Sequence, residues 1–299
     1  MARAYSRVML GCGNFGGIGS APAFFGRGET KDEAFAVMDA AWDAGLTTFD
    51  TADAYGGGRS ESWIGEWRRR TGHDPQVVTK TFNPMDEGAD HGLAPARVRR
   101  QAESSLQRLG LECIDLYLMH DWDPDVPVAD TAEVLDELVS EGKIAAYGLS
   151  NVDGAQLRDA LAAGRFSAVQ NSYSLLDREA ERELLPLCAE NGVAFFAFSP
   201  LAGGWLTGKY RRGAAPPAGS RMTMRPEPYE HLRDAAVFDR LERLEQLGDP
   251  AMLALSWLLS DPRVSGVVVG PRRPAHLEPA LAAAPLEPAL RDELSALFS

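Results

Sequence analysis

The stretch RVMLGCGNFGGIGS, residues 7–20, can be read in two ways, and the choice decides the fold. It opens with an apolar run, RVMLGCG at 7–13, and carries Gly-x-Gly-x-x-Gly at Gly11, Gly13 and Gly16. In an open doubly wound sheet that spacing marks the turn from the first strand into a phosphate-binding helix, which must begin at once. No helical pattern begins here. The chain runs on through Gly17, Gly19 and Gly26 until the capping box Thr30-x-x-Glu33 announces the first helix. The glycine spacing is therefore not a dinucleotide fingerprint, and the open sheet loses its main signature.

Outward from this stretch, short apolar runs alternate with helical patterns. The first helix is expected from about Lys31 to Ala44, with Phe35, Val37, Met38 and Trp42 mostly on one face and Gly45 as its stop. LTTF at 46–49 precedes a helix over about 61–70, and QVVT at 76–79 one over 95–109 with Pro95 in its first turn. IDLYLM at 114–119, KIAAYGL at 143–149 and SAVQ at 167–170 lead to helices over 131–141, 153–163 and 179–191. GVAFFAF at 192–198 is followed by a long loop at 211–231 and two helical segments, and VSGVVV at 264–269 comes last. Unbroken apolar strands separated by helices indicate a parallel sheet buried on both faces. Eight such units predict an α/β fold, a (β/α)8 TIM barrel forming a single domain over residues 1–299.

Composition narrows the function. The chain has 43 acidic against 30 basic residues, a formal charge of −13, which repels phosphate backbones and argues against nucleic-acid binding. No apolar run approaches the roughly 18 residues of a spanning helix, so no membrane association is expected. MARAYSRVMLGCG lacks the apolar core of a secretory signal. Cys12, Cys113 and Cys188 are odd in number, far apart and set among apolar residues, as reduced core thiols in the cytoplasm would be. Nothing signals assembly, so a monomer is the default.

A barrel of this type builds its active site at the C-terminal ends of its strands. Strand two ends at Asp50 with Tyr55 in its loop, strand three at Lys80, strand four at His120. Strand five runs into Ser150 and Asn151, strand six into Gln170 and Asn171, strand seven into Ser199. Singly, Asp50 could cap a turn, Tyr55 could pack a loop and His120 could be a satisfied core histidine. At three consecutive strand ends, coincidence explains them poorly. An unperturbed tyrosine donates a proton sluggishly at neutral pH; a lysine ammonium beside it lowers its pKa, and an aspartate keeps that lysine charged and aimed. With His120 orienting an oxygen, the set suits protonation of a carbonyl, with hydride supplied by a cofactor. No metal cluster, nucleophile elbow or P-loop competes.

On these motifs the chain resembles the aldo-keto reductases, NADP(H)-dependent carbonyl reductases built on a (β/α)8 barrel. FDTADAYGGGRSE, VVTK, DLYLMHDWDP, GKIAAYGLSN, QNSYSLLDRE and SPLAGGWLTGKY carry the resemblance across essentially the whole chain, the last with the flavour of bacterial reductases related to potassium-channel β subunits. The resemblance implies Tyr55 as general acid, Asp50 and Lys80 as its tuning pair and His120 over the substrate carbonyl. It implies that Ser150, Asn151 and Gln170 hold the nicotinamide carboxamide and that Phe198 lies under the ring. Ser199, Leu201, Gly203 and Lys209 would wrap the pyrophosphate, with Arg221 toward the adenosine phosphate. After strand eight, relatives carry Gly-x-(Ser/Arg)-x-x-x-Gln-x-x-Glu-Asn. Here GPRRPAHLEPA keeps Gly270 and Arg272 but has His276, Pro279 and Ala280 in place of Gln, Glu and Asn. His276 thus stands at a cofactor-contacting position with a different side chain. Arg221, Arg272 and Arg273 offer cations for a 2′-phosphate, so NADPH is expected over NADH; a solvated helix start is the other reading of PRRP.

The expected activity is reduction of an aldehyde or ketone to the alcohol. An NADP(H)-binding regulatory subunit with negligible turnover is the alternative, against which the complete tetrad argues. Phe24, Phe25, Trp122 and the 205–231 loop are the expected pocket walls, with no arginine or lysine cluster awaiting a substrate anion.

Overall fold

The computed structural model describes residues 5–299. Its eight strands, β1 (Val8–Gly11), β2 (Thr48–Asp50), β3 (Gln76–Thr81), β4 (Leu116–Met119), β5 (Tyr147–Ser150), β6 (Ala168–Ser172), β7 (Ala194–Phe198) and β8 (Val264–Val269), pair in parallel in sequence order. β8 returns to β1, closing a barrel and leaving no sheet edge. Helices α1 (Lys31–Asp43), α2 (Arg59–Thr71), α3 (Pro95–Leu109), α4 (Val128–Ser140), α5 (Gly154–Ala163) and α6 (Leu184–Asn191) link successive strands. α7 (Arg221–Met224), α8 (Ala235–Leu247) and α9 (Pro250–Leu259) lie between β7 and β8, and α10 (Glu278–Ala282) and α11 (Pro288–Leu297) follow β8. Among the described residues, no helix is long and apolar enough to cross a membrane.

Local chemistry sets most boundaries where the pattern puts them. Thr30 accepts from the Glu33 amide while Glu33 reaches back to the Thr30 amide, so α1 starts with both orphan donors satisfied. Asp153 and Gln156 do the same for α5. The expected helix over 179–191 divides instead into a single 3-10 turn, Glu179–Glu181, and α6. Pro186 is the reason: it has no N–H for the Arg182 carbonyl and its ring crowds that carbonyl, so a continuous helix cannot pass. Cys113 also departs from expectation. It is exposed, because it occupies the turn before β4, where Ile114 takes the inward position.

Strand alternation sorts the barrel into two cores. Positions such as Phe49, Val77, Leu149 and Val169 face the helices, while Met9, Val78, Leu116, Leu118, Ala168 and Phe196 fill the lumen. With a period of two, the residue two positions above the last filled lumen layer points to the upper mouth. Stepping up from Thr48, Val78, Leu118, Gly148, Ala168 and Phe196 gives Asp50, Lys80, His120, Ser150, Gln170 and Phe198. One parity therefore delivers five polar residues and Phe198, from six strands, to one place.

Candidate active site

Lys80 is completely buried, which is tolerable for an ammonium only if its donors are used. Its Nζ donates to Asp50 Oδ1 and to the Thr51 carbonyl, both at 2.7 Å. The other oxygen of Asp50, Oδ2, accepts from Gln170 Nε2 at 2.7 Å, so the carboxylate is gripped from two sides of the barrel. Nζ lies 5.3 Å from the centre of the Tyr55 ring, facing the phenol. Burial lowers the Lys80 pKa, but Asp50 and Tyr55 outweigh it and hold the ammonium above the usual lysine range.

Tyr55 sits in a turn closed by Gly56, Gly57 and Gly58. A Cβ on Gly56 would lie 2.6 Å from the Phe15 carbonyl, and its φ of 59° is in the left-handed region, so glycine permits the β1 loop to press on this turn. Beneath it is a buried ionic network. Asp53 accepts from the Ala54 amide at 2.6 Å and Thr81 Oγ1 at 2.7 Å, and Arg97 donates to the same Thr81 oxygen at 2.9 Å. Burial and then the neighbouring Glu61 raise the Asp53 carboxyl to about 7. The phenol it supports does not titrate as expected. Burial pushes Tyr55 above the ordinary tyrosine range, and Lys80 offsets only part of that rise. Lys80 therefore does not bring Tyr55 below an ordinary tyrosine at rest; it faces the oxygen where a phenolate charge would develop.

His120 crosses Tyr55 edge-on, ring centres 5.5 Å apart, with Nε2 3.5 Å from the phenol oxygen. Burial, then the charge of Lys80, lowers its pKa to about 3, so the imidazole is neutral at neutral pH. Asn83, a residue no sequence pattern singled out, fixes its tautomer. Asn83 Nδ2 meets Nδ1 at 3.3 Å, and an amide nitrogen can only donate, so Nδ1 accepts and Nε2 carries the hydrogen. The Arg97 guanidinium holds Asn83 by its carbonyl at 2.8 Å. Asn83→Asp should reverse the arrangement, because a carboxylate draws a hydrogen onto Nδ1 and strips it from Nε2 of the neutral ring. We expect carbonyl-reduction kcat/KM to fall about 10–100-fold at neutral pH and recover at lower pH, where both ring nitrogens are protonated. A pH profile with no new limb would count against this role of Asn83.

The residues expected around a dinucleotide line the rest of the mouth. Ser150 and Gln170 are paired level across β5 and β6. Asn151 Nδ2 donates to the His120 carbonyl at 2.8 Å, tying this rim to β4. Three non-glycine residues of the described chain have positive φ: Asn151 at 55°, Ser199 at 55° and Ala202 at 46°. All three lie just beyond β5 or β7, each at a cost on the order of 1–3 kcal/mol. Next to Ser199 and Leu201, Gly203 lies against Tyr229, where a Cβ would come within 2.6 Å of the ring. Tyr229 OH meets Ser199 Oγ at 3.2 Å, so the 205–231 loop folds over this segment.

Beyond it, Lys209, Arg221 and Arg272 gather. Desolvation and the two arginines hold Lys209 below the usual lysine range, and Arg221 is likewise lowered by desolvation, with Arg225 and Arg272 adding to it. Arg221 spends one donor on Asn14 Oδ1 at 2.9 Å, a neutral partner. Arg272 pairs with the buried carboxylate of Glu29, whose charge also reaches Arg221, and three cations against that one carboxylate leave charge to spare for an anionic ligand. The residues present fit a nicotinamide dinucleotide. The altered end after β8 contributes less: His276 Nδ1 accepts from the Arg272 amide at 3.3 Å, and Ala280 is packed in the core. The first loop also differs from expectation. The guanidiniums of Arg27 and Arg225 both approach the Phe24 ring, 5.8 and 5.4 Å from its centre, so the fold does bring arginines to this wall. Residues 27 and 225 are too far apart in sequence for that meeting to be read from the chain. Trp122 is half-buried against the helix-side core.

Comparison with known proteins agrees with this fold. The sequence profile of the Aldo/keto reductase family matches residues 8–297. The chain is 34% identical over 288 residues to an NADH-specific methylglyoxal reductase of Escherichia coli, covering 89% of this chain and 86% of that protein. It is 30% identical over 264 residues to the aldo-keto reductase yakc of Schizosaccharomyces pombe, whose name specifies NADP(+), covering 84% and 78%. Among solved structures, a glycerol dehydrogenase of Gluconobacter oxydans superposes with a TM-score of 0.84 at 25% identity, covering 98% of this chain and 91% of that one.

Proposed function

Because the chain belongs to the aldo/keto reductase family, we propose that it is an NADP(H)-dependent oxidoreductase that reduces an aldehyde or ketone to the alcohol. The observation that carries this reading is the Tyr55 hydroxyl, 3.5 Å from His120 Nε2 and backed by the buried Lys80–Asp50 pair, at the open end of the barrel. When bound, the nicotinamide supplies the hydride. Ser150, Asn151 and the carbonyl oxygen of Gln170 would hold its carboxamide, and Phe198 would lie beneath the ring. Ser199, Leu201, Gly203 and Lys209 would take the pyrophosphate, and Arg221, Gly270, Arg272 and His276 the adenosine end.

The protein's own part is acid catalysis. The Nε2–H of neutral His120 and the Tyr55 O–H converge where a carbonyl oxygen would sit, so that oxygen meets two donors. As negative charge gathers on it, Tyr55 gives up its proton and the phenolate left behind faces the Lys80 ammonium. Since burial disfavours a phenolate, Lys80 matters most at the transition state. Asp50, held by Gln170, keeps the ammonium charged and aimed. The NADH-specific and NADP(+) relatives span both coenzymes; the cluster of Lys209, Arg221 and Arg272 supports NADPH here. The reading is of a single barrel domain acting on small carbonyl compounds in the cytoplasm.

The test is a fluorescence titration with NADPH and NADH, then turnover of para-nitrobenzaldehyde and methylglyoxal followed by loss of reduced-nicotinamide absorbance. NADPH binding with turnover is the expected result. Binding without turnover over a broad carbonyl panel would favour the regulatory alternative.

A further inference from the structure

Glu29 plays no part in the carbonyl chemistry, yet it is 3% exposed and its carboxylate lies at the cation cluster. Its backbone is pinned to the β1 loop on both sides: the amide donates to the Asn14 carbonyl at 2.8 Å, and the carbonyl accepts from the Gly16 amide at 3.0 Å. From there the side chain meets a residue 243 positions away, where Oε1 accepts from Arg272 Nε. Oε2 is buried and, among the described residues, has no hydrogen-bond partner. Burial pushes the Glu29 carboxyl above the usual glutamate range, and the bond and charge of Arg272 oppose that rise. The pair is therefore unequal. Arg272 is the cation bonded to Glu29, with Arg221 only within reach of its charge, whereas Arg272 also donates to the Gly219 carbonyl and stands near Lys209 and Arg221.

We propose that Glu29 is a coenzyme-specificity residue that holds Arg272 back from a 2′-phosphate and so narrows the preference for NADPH over NADH. The inference rests on the reading that Arg272 lies at the adenosine end of a dinucleotide. A 2′-phosphate brings a dianionic group to a guanidinium already neutralised by a buried carboxylate. Sharing Arg272 sets two anions against each other. Surrendering it leaves Glu29 buried without its bonded cation, which is the costly way to break a buried pair. NADH has a hydroxyl at that position and meets neither penalty. The same carboxylate that pairs with Arg272 in the free protein therefore acts against one coenzyme and not the other.

Glu29→Gln tests this. The amide still offers Arg272 an acceptor oxygen of the same shape but carries no charge. Quenching of tryptophan fluorescence by NADPH and by NADH would give the two dissociation constants directly, without turnover. The expected result is NADPH affinity raised about tenfold, with NADH affinity held within about twofold. Arg272→Gln serves as the converse and should weaken NADPH selectively. An unchanged affinity ratio in both variants, or parallel loss for both coenzymes as a purely structural clamp would give, overturns the proposal and leaves the reductase reading standing. Failure of the folded wild-type protein to bind either dinucleotide overturns both.

Discussion

Tyr55→Phe should lower kcat for carbonyl reduction by about 10²–10⁴-fold while leaving dinucleotide affinity within about twofold. The substitution removes one oxygen and leaves the ring where it is. The ring packs near Gly13 and crosses His120 edge-on, and both contacts survive in phenylalanine. The hydroxyl meets His120 Nε2 only at a long 3.5 Å, so the fold loses little and the melting temperature should move by no more than about 2–4 °C. The direction of the Tyr55 pKa sharpens the test. Because burial raises it, the residue is a phenol throughout the neutral range, the form reduction needs, and the wild-type reduction rate should be flat there. His120, lowered to about 3, adds no limb at the ordinary histidine pKa. Alcohol oxidation needs the phenolate and should climb with rising pH; Tyr55→Phe should abolish that climb. Steady-state rates in both directions from neutral to alkaline pH check all of this. Turnover retained in the variant would remove Tyr55 from the chemistry.

What the chain made legible follows from which interactions are periodic. Strand residues alternate with a period of two, so once the eight apolar runs are placed, the parity that puts Val78 and Leu118 in the lumen also puts Lys80 and His120 at its mouth. Capping boxes at Thr30 and Asp153 are likewise local and readable. Asn83 was missed because its contact with His120 depends on how the loop after β3 lies, which no spacing encodes. Glu29 was missed for a different reason. It reads as one more acid at a helix start, and nothing in GETKDE points to an arginine beyond β8. Gln170 was legible as a polar residue at the mouth, but its hold on Asp50 joins strands on opposite sides of the lumen, a contact only the closed barrel creates. The expected lowering of the Tyr55 pKa failed because sequence names the neighbours of a group and not the depth at which they meet, and here depth outweighs the neighbouring charge.

Lys80→Met tests the other half of the tetrad and should damage stability and rate through separable causes. Nζ anchors Asp50 Oδ1 and the Thr51 carbonyl, and methionine can replace neither bond. Asp50, almost fully buried, would keep only its bond from Gln170, and an unpaired buried carboxylate costs about 3–5 kcal/mol. A lower melting temperature is therefore expected in the single variant whatever the catalytic role. Asp50→Asn with Lys80→Met removes the stranded charge and should recover most of that loss. It should not recover turnover, because the phenolate of Tyr55 would still form without a facing cation. Rate loss in the Lys80→Met protein should match that of Tyr55→Phe in order of magnitude. Since Lys80 acts through the phenol, combining the two should cost little more than either alone, within about threefold. Multiplicative losses in the combined variant would mean that Lys80 contributes by a route other than Tyr55. Recovery of turnover together with stability in the Asp50→Asn, Lys80→Met protein would reduce the buried pair to a structural device.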